Sequence, residues 1–228
     1  MTSRVSNRKL GVMASGIRGK GLSVVKAFTK KFGGTFHNKF VPGEVTHVIV
    51  RTEQSRCDRT LKYLQAIASK SWVVSILWVT QSLKQKKLLS EIEFEVITDS
   101  VETDPVLFNG PRRSRESAKD FKLLSDFYIC CYPPFALFTA DEFMELLKMC
   151  GAAVTTNLNE LKSDRSNQRK VIAFDADAYT GSLPNYTEIA SRNNAEAVSS
   201  NWALECIATF TVQPTAVFPV EEFESEMT

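Results

Sequence analysis

The sequence unit Val-Ser-x-x-Trp occurs twice, and this duplication constrains the fold of the 228-residue chain more than any other feature. The first copy runs from Val74 to Trp78, and the second runs from Val198 to Trp202, 124 residues later. Two other landmarks recur in the same order. Segment 32–35 corresponds to segment 150–153, and segment 46–50 corresponds to segment 170–174. Three landmarks in one order predict a single supersecondary plan that is used twice.

Apolar periodicity predicts the same order of elements, β-α-β-β-α-β-α, in both copies. The predicted strands lie at 10–14, 35–36, 47–50 and 72–75, and at 127–131, 152–154, 171–174 and 197–199. The predicted helices lie at 22–32, 60–68 and 77–88, and at 140–149, 186–191 and 202–209. Strands that alternate with helices predict an α/β fold whose sheet is mostly parallel, with helices on both faces.

Two stretches lack this periodicity. Segment 99–119 contains Asp-Pro, Asn-Gly-Pro and an Arg-Arg-Ser-Arg cluster, a composition that is typical of a linker. Segment 158–170 is long and polar, and it predicts a mobile loop. We therefore place repeat 1 at 8–98, a basic linker at 99–119, repeat 2 at 120–218 and a C-terminal tail at 219–228.

The composition is that of a globular protein with room for two domains, since 43% of the residues are apolar and 24% are charged. A net charge of +2 indicates no global field that would steer the chain towards DNA or an acidic membrane. The apolar runs are far shorter than the roughly 18 residues that a membrane span needs. The first nine residues also lack the apolar core of a signal peptide.

The cysteines and histidines are expected to be structural. An odd number of cysteines without a C-x-x-C pair argues against a disulfide framework and favours a reducing compartment. Cys130 and Cys131 lie in an apolar run and are predicted to be small core residues. His37 and His47 have no cysteine or acid at metal-ligand spacing, so no metal site is predicted. The five cysteines are Cys57, Cys130, Cys131, Cys150 and Cys206.

Three residues of the first copy together offer what a phosphate needs: an approachable backbone N–H, a hydroxyl and a cation. Ser15 and Gly16 follow the first strand, and ligands of open α/β sheets bind at the carboxyl ends of strands. Lys62, expected to be exposed in the first turn of the second helix, brings an ammonium group to the same end. A plain turn with a solvated lysine remains the alternative. The second copy offers no such set at its equivalent positions, which hold Cys131, Tyr132 and Tyr186.

Sequence patterns for catalysis are weak. The glycine-rich turn from Gly16 to Gly21 has neither the dinucleotide spacing nor the Ser or Thr that a P-loop requires after Lys20. Asp175 and Asp177 are predicted to be solvated loop acids and not metal ligands. No Ser-His-Asp or Cys-His arrangement is evident. We therefore predict a binding module without catalytic residues or cofactors.

Basic residues support a second hypothesis, contact with DNA phosphates. The same cluster is compatible with nuclear localisation or with a solvated surface. The residues concerned are Arg112, Arg113, Arg115 and Lys119, together with Lys84, Lys86 and Lys87.

The chain resembles tandem BRCT modules from about residue 8 to the mid-210s. The resemblance implies two tandem BRCT domains, each a four-stranded parallel sheet flanked by three helices, packed through an inter-repeat interface. The segments that carry it are 59–63 (RTLKY), 72–75 (WVVS), 78–82 (WVTQS), 110–117 (GPRRSRES), 129–132 (ICCY) and 150–152 (CGA).

Members of this family bind phosphoserine peptides, so the resemblance implies that Ser15, Gly16 and Lys62 bind phosphate. Arg59 is expected to pair with Glu205 across the repeats, because Glu205 lies one helical turn beyond Asn201 on the last predicted helix of the second repeat. A second pocket would take the side chain three residues beyond the phosphoserine, and Ser200 and Asn201 replace charged residues near it, which leaves its preference open. That pocket would be formed by Arg59, Leu64, Leu137, Phe138 and Leu204.

Segment 110–117 is similar to that of a RING ubiquitin ligase that acts in DNA repair, and also to that of its RING partner. The resemblance thus implies a nuclear parent protein, with no membrane association, that heterodimerises with a RING/BRCT partner. Its ligands would be phosphoserine-containing proteins of the DNA-damage response. Three alternatives remain open: a DNA-binding module, a docking surface that ignores phosphate, and the BRCT pair of the RING partner itself.

Overall fold

The computed structural model describes residues 9–162, 167–180 and 183–220. The chain divides between Ser117 and Ala118 into two compact units, here called repeat 1 and repeat 2. Each repeat contains a four-stranded parallel sheet. The predicted α/β class and the predicted tandem of two similar domains are confirmed, whereas the predicted packing of one repeat on the other stays a prediction.

Repeat 1 follows the predicted order, with an added pair of short strands and one added helix. Its strands are β1 (Gly11–Ser15), β2 (Thr35–Phe36), β3 (His47–Val50), β4 (Arg56–Cys57), β5 (Trp72–Ser75) and β6 (Thr98–Asp99). Its helices are α1 (Gly19–Lys31), α2 (Leu61–Ala68), α3 (Ile76–Gln85) and α4 (Gly110–Glu116), with 3-10 turns at Ile92–Phe94 and Pro105–Leu107. The main sheet has the order β2-β1-β3-β5, and β4 pairs with β6 separately.

Alternation of side chains along the strands gives repeat 1 two core layers. On one face, Val12, Ala14, Ile49 and Val74 pack with residues of α1 and α3. The alternate residues, such as Met13, are also fully buried, on the face that α2 covers. The near-continuous apolar strands are what a parallel sheet covered on both faces requires.

Repeat 2 repeats the plan in the predicted order. Its strands are β7 (Phe127–Cys131), β8 (Ala153–Thr155), β9 (Arg169–Phe174) and β10 (Glu196–Ser199), in the order β8-β7-β9-β10. Its helices are α5 (Ala140–Met149), α6 (Tyr186–Arg192) and α7 (Asn201–Thr209), with 3-10 turns at Leu158–Lys162, Ala176–Ala178 and Thr215–Val217. This strand order is equivalent to that of repeat 1.

The duplicated tryptophan occupies the same position in both repeats. Trp78 and Trp202 are fully buried. The indole Nε1 of Trp78 donates to the carbonyl oxygen of Leu89 at 2.9 Å, and that of Trp202 donates to Gln213 at 2.8 Å. Each acceptor follows its tryptophan by eleven residues. The repeated sequence unit therefore marks a repeated core anchor, which holds the chain leaving the closing helix.

Both stretches without periodicity contain ordered structure. Segment 99–119 includes α4, which packs against α2 and β5, and it begins at Asp99, which is fully buried at the end of β6. In segment 158–170, Leu161 is fully buried and Arg169 already belongs to β9, so the predicted mobile loop is wrong for these described parts. Residues 163–166 of that loop lie outside the described residues. None of the described helices is long and apolar enough to cross a membrane.

The cysteines and histidines have the structural roles that the sequence predicted. All five cysteines are buried and unbridged, and burial raises the pKa of the Cys130 and Cys131 thiols to about 12. His47 stacks on Trp78 and lies 2.7 Å from Thr46 Oγ1 and 3.2 Å from Glu91 Oε1. Burial alone would raise the pKa of Glu91, but the hydrogen bond with His47, a backbone hydrogen bond and the electrostatic interactions with His47 and Arg115 together outweigh burial and lower it.

Candidate functional site

The carboxyl end of β1 brings together the predicted phosphate-binding residues. Ser15 is the last residue of β1, and Gly16 follows with φ +67°, a backbone conformation that favours glycine. Ser15 lies in register with Val50 of β3, which lies in register with Ser75 of β5. A row of small side chains therefore forms this edge of the sheet, next to the turn at Gly16.

Thr60 connects this edge to α2. It is the N-cap of α2, and its Oγ1 accepts a hydrogen bond from the Tyr63 backbone N–H at 3.2 Å. The same Oγ1 lies 2.7 Å from Ser15 Oγ. Either hydroxyl can donate in this contact; in one arrangement Thr60 donates its hydrogen to Ser15 while it accepts from Tyr63. That arrangement leaves the Ser15 hydroxyl hydrogen available to a ligand at the edge of the sheet.

Lys62 lies in the first turn of α2, as predicted, but it is partly buried and not exposed. Its Nζ donates to the carbonyl oxygen of Ala14 at 3.3 Å, so the ammonium group reaches the backbone immediately before Ser15 and Gly16. The prediction that Lys62 is exposed was wrong, because a lysine stem packs along apolar surface while its head reaches a polar group. The three predicted residues are thus brought to one place.

The charge around this place is mixed. A shallow depression is lined by Ser15, Gly16, Val50, Arg51, Asp58 and Thr60. The first turn of α2 contains no acidic side chain, so the positive end of its dipole is not neutralised there. Arg51 and Asp58 bring one positive and one negative charge to the rim. Lys62 does not line the depression, but its ammonium group reaches the carbonyl of Ala14, next to Ser15, and adds a second positive charge near it. Positive groups therefore outnumber the single acid here, which suits an anion.

At the equivalent position of repeat 2, the described residues carry different side chains. Cys131 ends β7 and is fully buried, and Tyr186 begins α6 and is fully buried. The ring of Phe174 lies 5.1 Å from that of Tyr132 and 4.5 Å from that of Tyr186. Aromatic rings fill the space that hydroxyl and ammonium groups occupy in repeat 1. The candidate anion site therefore belongs to repeat 1.

Arg59, immediately before Thr60, is fixed by a buried acid. Its Nε donates to Asp99 Oδ2 at 2.8 Å, and only 1% of the Asp99 side chain is exposed. Asp99 Oδ1 accepts from the backbone N–H groups of Val101 and Glu102 at 2.9 and 3.1 Å. The parallel pairing of β4 with β6 sets this geometry by placing Cys57 opposite Asp99. This pair anchors the segment that leads into α2.

The other residues of the predicted second pocket lie in both repeats. Leu64 in α2 and Leu204 in α7 are buried, and Leu137 is 80% exposed. Phe138 is partly buried, and its ring lies 4.8 Å from Phe143 and 5.6 Å from Phe135. The pocket formed by Arg59, Leu64, Leu137, Phe138 and Leu204, and the pairing of Arg59 with Glu205, stay predictions.

The arginine cluster of segment 110–117 is largely used inside repeat 1. Arg115 makes two hydrogen bonds to Glu95, at 2.8 and 2.9 Å, and its guanidinium lies 3.7 Å from the centre of the Trp72 ring. The hydrogen bond to Glu95 is the main reason that the pKa of Arg115 is raised. Arg113 donates to the carbonyl oxygens of Leu107 and Phe108. These two arginines are engaged in contacts within repeat 1.

One of the two predicted loop acids, Asp175, makes a structural contact. Asp175 Oδ2 accepts a hydrogen bond from the Ala136 backbone N–H at 2.9 Å. Within the described residues, no group of three or more His, Cys, Asp or Glu side chains is arranged to hold a metal ion.

Sequence reasoning missed two residues that shape the site. Thr60 could have been found, because a threonine just before an apolar helical stretch is a preferred N-cap. Asp99 had no local signal, because its partner Arg59 lies 40 residues earlier. Only the pairing of two short strands brings these side chains together.

Taken with the geometry, the fold defines a class of protein: a tandem pair of four-stranded α/β repeats in which the first carries an anion-compatible depression. Residues 15–83 match the sequence profile described as the BRCA1 C Terminus (BRCT) domain. The chain belongs to the BRCT family and contains two BRCT repeats in tandem.

Similarity to individual proteins supports this assignment. The chain is 33% identical over 206 residues to the breast cancer type 1 susceptibility protein homolog of Mus musculus, a match that covers 90% of the chain. The chain spans only 11% of the length of that relative. It is similar in fold to the Brc1 BRCT5-BRCT6 domains of S. pombe, with a TM-score of 0.63, 19% identity and coverage of 90% and 94% of the two chains. A complex of Rtt107p with a phosphorylated histone gives a TM-score of 0.60, 14% identity and coverage of 92% and 91%.

Proposed function

We propose that the chain binds phosphoserine-containing peptides through repeat 1. The observation that carries this proposal is the convergence of the Ser15 hydroxyl, the Gly16 backbone and the Lys62 ammonium group at the end of β1. A phosphate is a dianion at neutral pH and needs hydrogen-bond donors and positive charge together. The Rtt107p structure, whose described complex contains a phosphorylated histone, supports the choice of ligand by analogy of fold.

The proposal extends to the biology of the parent protein. As the resemblance of segment 110–117 implies, the parent is proposed to be a nuclear protein of the DNA-damage response with a RING ubiquitin ligase domain, and the 33% identity with the mouse susceptibility protein homolog supports this choice of parent. Heterodimerisation with a RING/BRCT partner is proposed from the same resemblance. Identity of 33% over 90% of the chain favours this parent over the RING partner as the source of the BRCT pair. The repeats themselves act as a binding module.

Lys62→Met is expected to remove most phosphopeptide binding without unfolding repeat 1. The methionine keeps an unbranched stem of similar length, so packing against the end of β1 is preserved. The lost charge-assisted contact is worth about 1.5–3 kcal/mol, which corresponds to a tenfold to hundredfold loss of affinity. Isothermal titration of a phosphoserine peptide and its unphosphorylated twin, with a thermal melt of each protein, measures both quantities.

Two variants sharpen this test. Ser15→Ala is expected to weaken binding by a smaller factor, because the Gly16 backbone N–H remains available. Lys84→Met makes the same chemical change on the surface of α3 and serves as the matched control. Equal affinity of wild type and Lys62→Met for the phosphopeptide would refute the phosphate site. Equal affinity of wild type for both peptides would instead support a docking surface that ignores phosphate.

We propose further that peptide specificity resides in the third residue after the phosphoserine, read by Arg59, Leu64, Leu137, Phe138 and Leu204. Phe138 is held by two neighbouring rings, so it presents a bulky surface in a fixed orientation. We therefore expect a preference for a smaller apolar residue over a large aromatic one at that position. Arg59 would orient the pocket through Glu205.

A peptide series that varies only the third residue after the phosphoserine tests this preference. Wild type is expected to prefer valine or leucine over phenylalanine, and Phe138→Ala is expected to shift the preference towards phenylalanine. Phe135→Ala, which removes another ring of the same cluster, controls for a loss of packing. If wild type binds every peptide of the series equally, the pocket does not determine specificity.

A further inference from the structure

The net charge of +2 conceals a strong separation of charge between the repeats. Residues 1–117 contain 20 Lys and Arg against 10 Asp and Glu, a net charge of +10. Residues 118–228 contain 8 against 16, a net charge of −8. The first acidic residue of the chain is Glu44. The expectation that no field favours a polyanion therefore fails for repeat 1 taken alone, because opposite charges were averaged over the two repeats.

Much of the excess positive charge lies on the helices that cover one face of the repeat 1 sheet. Helix α1 and helix α3 pack side by side, with the ring of Phe28 4.9 Å from that of Trp78. Neither helix contains an acidic residue. The lysines of this face, including those just beyond α3, are Lys20, Lys26, Lys30, Lys31, Lys84, Lys86 and Lys87.

Topology gathers five of these lysines at one edge of the sheet. Helix α1 runs back from the carboxyl end of β1 to the start of β2, so Lys30 and Lys31 lie at the amino ends of the strands. The chain after α3 reaches the same edge, because Glu91 pairs with His47, the first residue of β3. Lys84, Lys86 and Lys87 therefore lie towards the same edge as Lys30 and Lys31. This edge is opposite to the one that holds Ser15 and Gly16.

These lysines are not used to stabilise the fold through ion pairs. Within the described residues none of the seven takes part in a salt bridge, and the only ring contacts are those of Lys26 with Phe36 and Lys31 with Phe32. Two acids at this edge are engaged, since Glu91 lies 3.2 Å from His47 and Glu44 lies 3.8 Å from His37. The helix dipole favours a lysine in the last turn of a helix, which accounts for lysines at the ends of α1 and α3. It does not account for seven lysines on one face.

The chemistry of the face favours nucleic acid over a folded protein partner. Protein interfaces place aromatic and apolar anchors at their centres and are depleted in lysine. Across residues 9–76, all of which the structure describes, no large hydrophobic side chain is exposed. Beyond them, Leu77 at the start of α3 and Leu88 and Ile92 after its end are exposed, which is few against seven lysines. Duplex DNA presents about one phosphate per 1.7 Å of its axis, and lysine binds phosphate as a point charge without reading bases. Helix α1 alone, at 13 residues, spans about 20 Å.

We propose that the lysine face of α1 and α3 binds the phosphate backbone of nucleic acid without sequence preference. This surface differs from the arginine cluster of segment 110–117, where Arg113 and Arg115 are engaged inside the repeat. It is also separate from the depression at Ser15 and Gly16, at the other edge of the sheet. The two sites can therefore be occupied together, so that nucleic-acid binding would hold the module near DNA while a phosphopeptide is bound.

The test measures binding of the full 228-residue chain to a fluorescein-labelled duplex of about 30 base pairs and arbitrary sequence, by anisotropy at several salt concentrations. The quadruple variant Lys30→Gln, Lys31→Gln, Lys86→Gln, Lys87→Gln is expected to bind at least about tenfold more weakly at about 0.1 M salt. Its plot of log affinity against log salt is expected to be shallower by about 3–4, since each phosphate contact contributes about 0.9. Phosphopeptide affinity is expected to be unchanged.

A matched variant separates the surface from the overall charge. Replacing four exposed lysines of repeat 2 by glutamine, at Lys119, Lys122, Lys148 and Lys162, changes the net charge equally and is expected to leave DNA affinity close to that of wild type. The proposal would be overturned if both variants lost DNA affinity equally, or if the quadruple variant of repeat 1 lost none. Sedimentation of the DNA-free protein tests one other occupant. A salt-sensitive dimer that the first variant abolishes would also overturn the proposal. It would show that the lysine face binds the acidic repeat 2 of a second copy.

Discussion

Replacing Trp78 or Trp202 by alanine is expected to unfold the repeat that contains it. Each indole is fully buried, and each Nε1 donates to a backbone carbonyl eleven residues later. Removing a core aromatic side chain costs about 3–5 kcal/mol, and the lost hydrogen bond adds about 1 kcal/mol. A typical domain has only about 5–15 kcal/mol of stability. Far-UV circular dichroism melts are expected to show a fall of more than about 10 °C in Tm, or insoluble protein.

Controls identify which interaction is responsible. Trp78→Phe keeps an aromatic ring against Phe28 and His47 but cannot donate to Leu89, so it is expected to lose less stability than Trp78→Ala. Trp72→Phe is expected to lose the least stability of these variants, because Trp72 is only partly buried beneath Arg115. A soluble Trp202→Ala protein with a wild-type Tm would contradict the anchoring role of the repeated tryptophan.

Asp99→Ala is expected to destabilise repeat 1 by about 3–5 kcal/mol, the usual cost of removing one partner from a buried ion pair. The carboxylate is fully buried, receives Arg59 Nε, and accepts two backbone N–H groups that would lose this acceptor. Because Arg59 precedes the α2 N-cap, we also expect weaker phosphopeptide binding at temperatures where the protein stays folded. Urea denaturation followed by tryptophan fluorescence measures the loss of stability.

Two further variants define the role of the Asp99 charge. Asp99→Asn retains a carbonyl oxygen that can accept from the backbone N–H groups of Val101 and Glu102. Its urea midpoint is expected to lie between those of wild type and Asp99→Ala. Glu116→Ala removes an exposed acid that pairs with Arg112, and it is expected to leave the urea midpoint unchanged. An unchanged midpoint for Asp99→Ala would show that the buried pair does not anchor the segment before α2.

The order of the elements could be predicted because local pattern determines it. Strands β3, β5, β7 and β9 are short, largely apolar runs, and the repeated Val-Ser-x-x-Trp unit marks each β-strand that leads into a closing helix. Element boundaries were less predictable. Helix α1 begins three residues before the predicted start at Leu22, because Gly19 and Lys20 carry no apolar signal although they join the first turn.

The added pairing of β4 with β6 could not be predicted. Each strand has two residues, too few for a period, and about 40 residues of chain separate Cys57 from its partner residue Asp99. Helix α4 was concealed for a related reason: Gly110 and Pro111 indicate a turn, yet both are buried because α4 packs against α2. Tertiary contacts overrode local propensity in both segments.

The sequence by itself determined the residue types from which the candidate site is predicted. Ser15, Gly16 and Lys62 are the residues of repeat 1 for which repeat 2 has Cys131, Tyr132 and Tyr186, and that difference is visible without coordinates. Only the tertiary structure decided how they are held. The Ser15 hydroxyl is oriented by Thr60, the Lys62 ammonium group by the carbonyl of Ala14, and the preceding Arg59 by Asp99. Each of these contacts joins residues 40 to 48 positions apart, and the distance between such residues depends on how the strands pair, which no local pattern records.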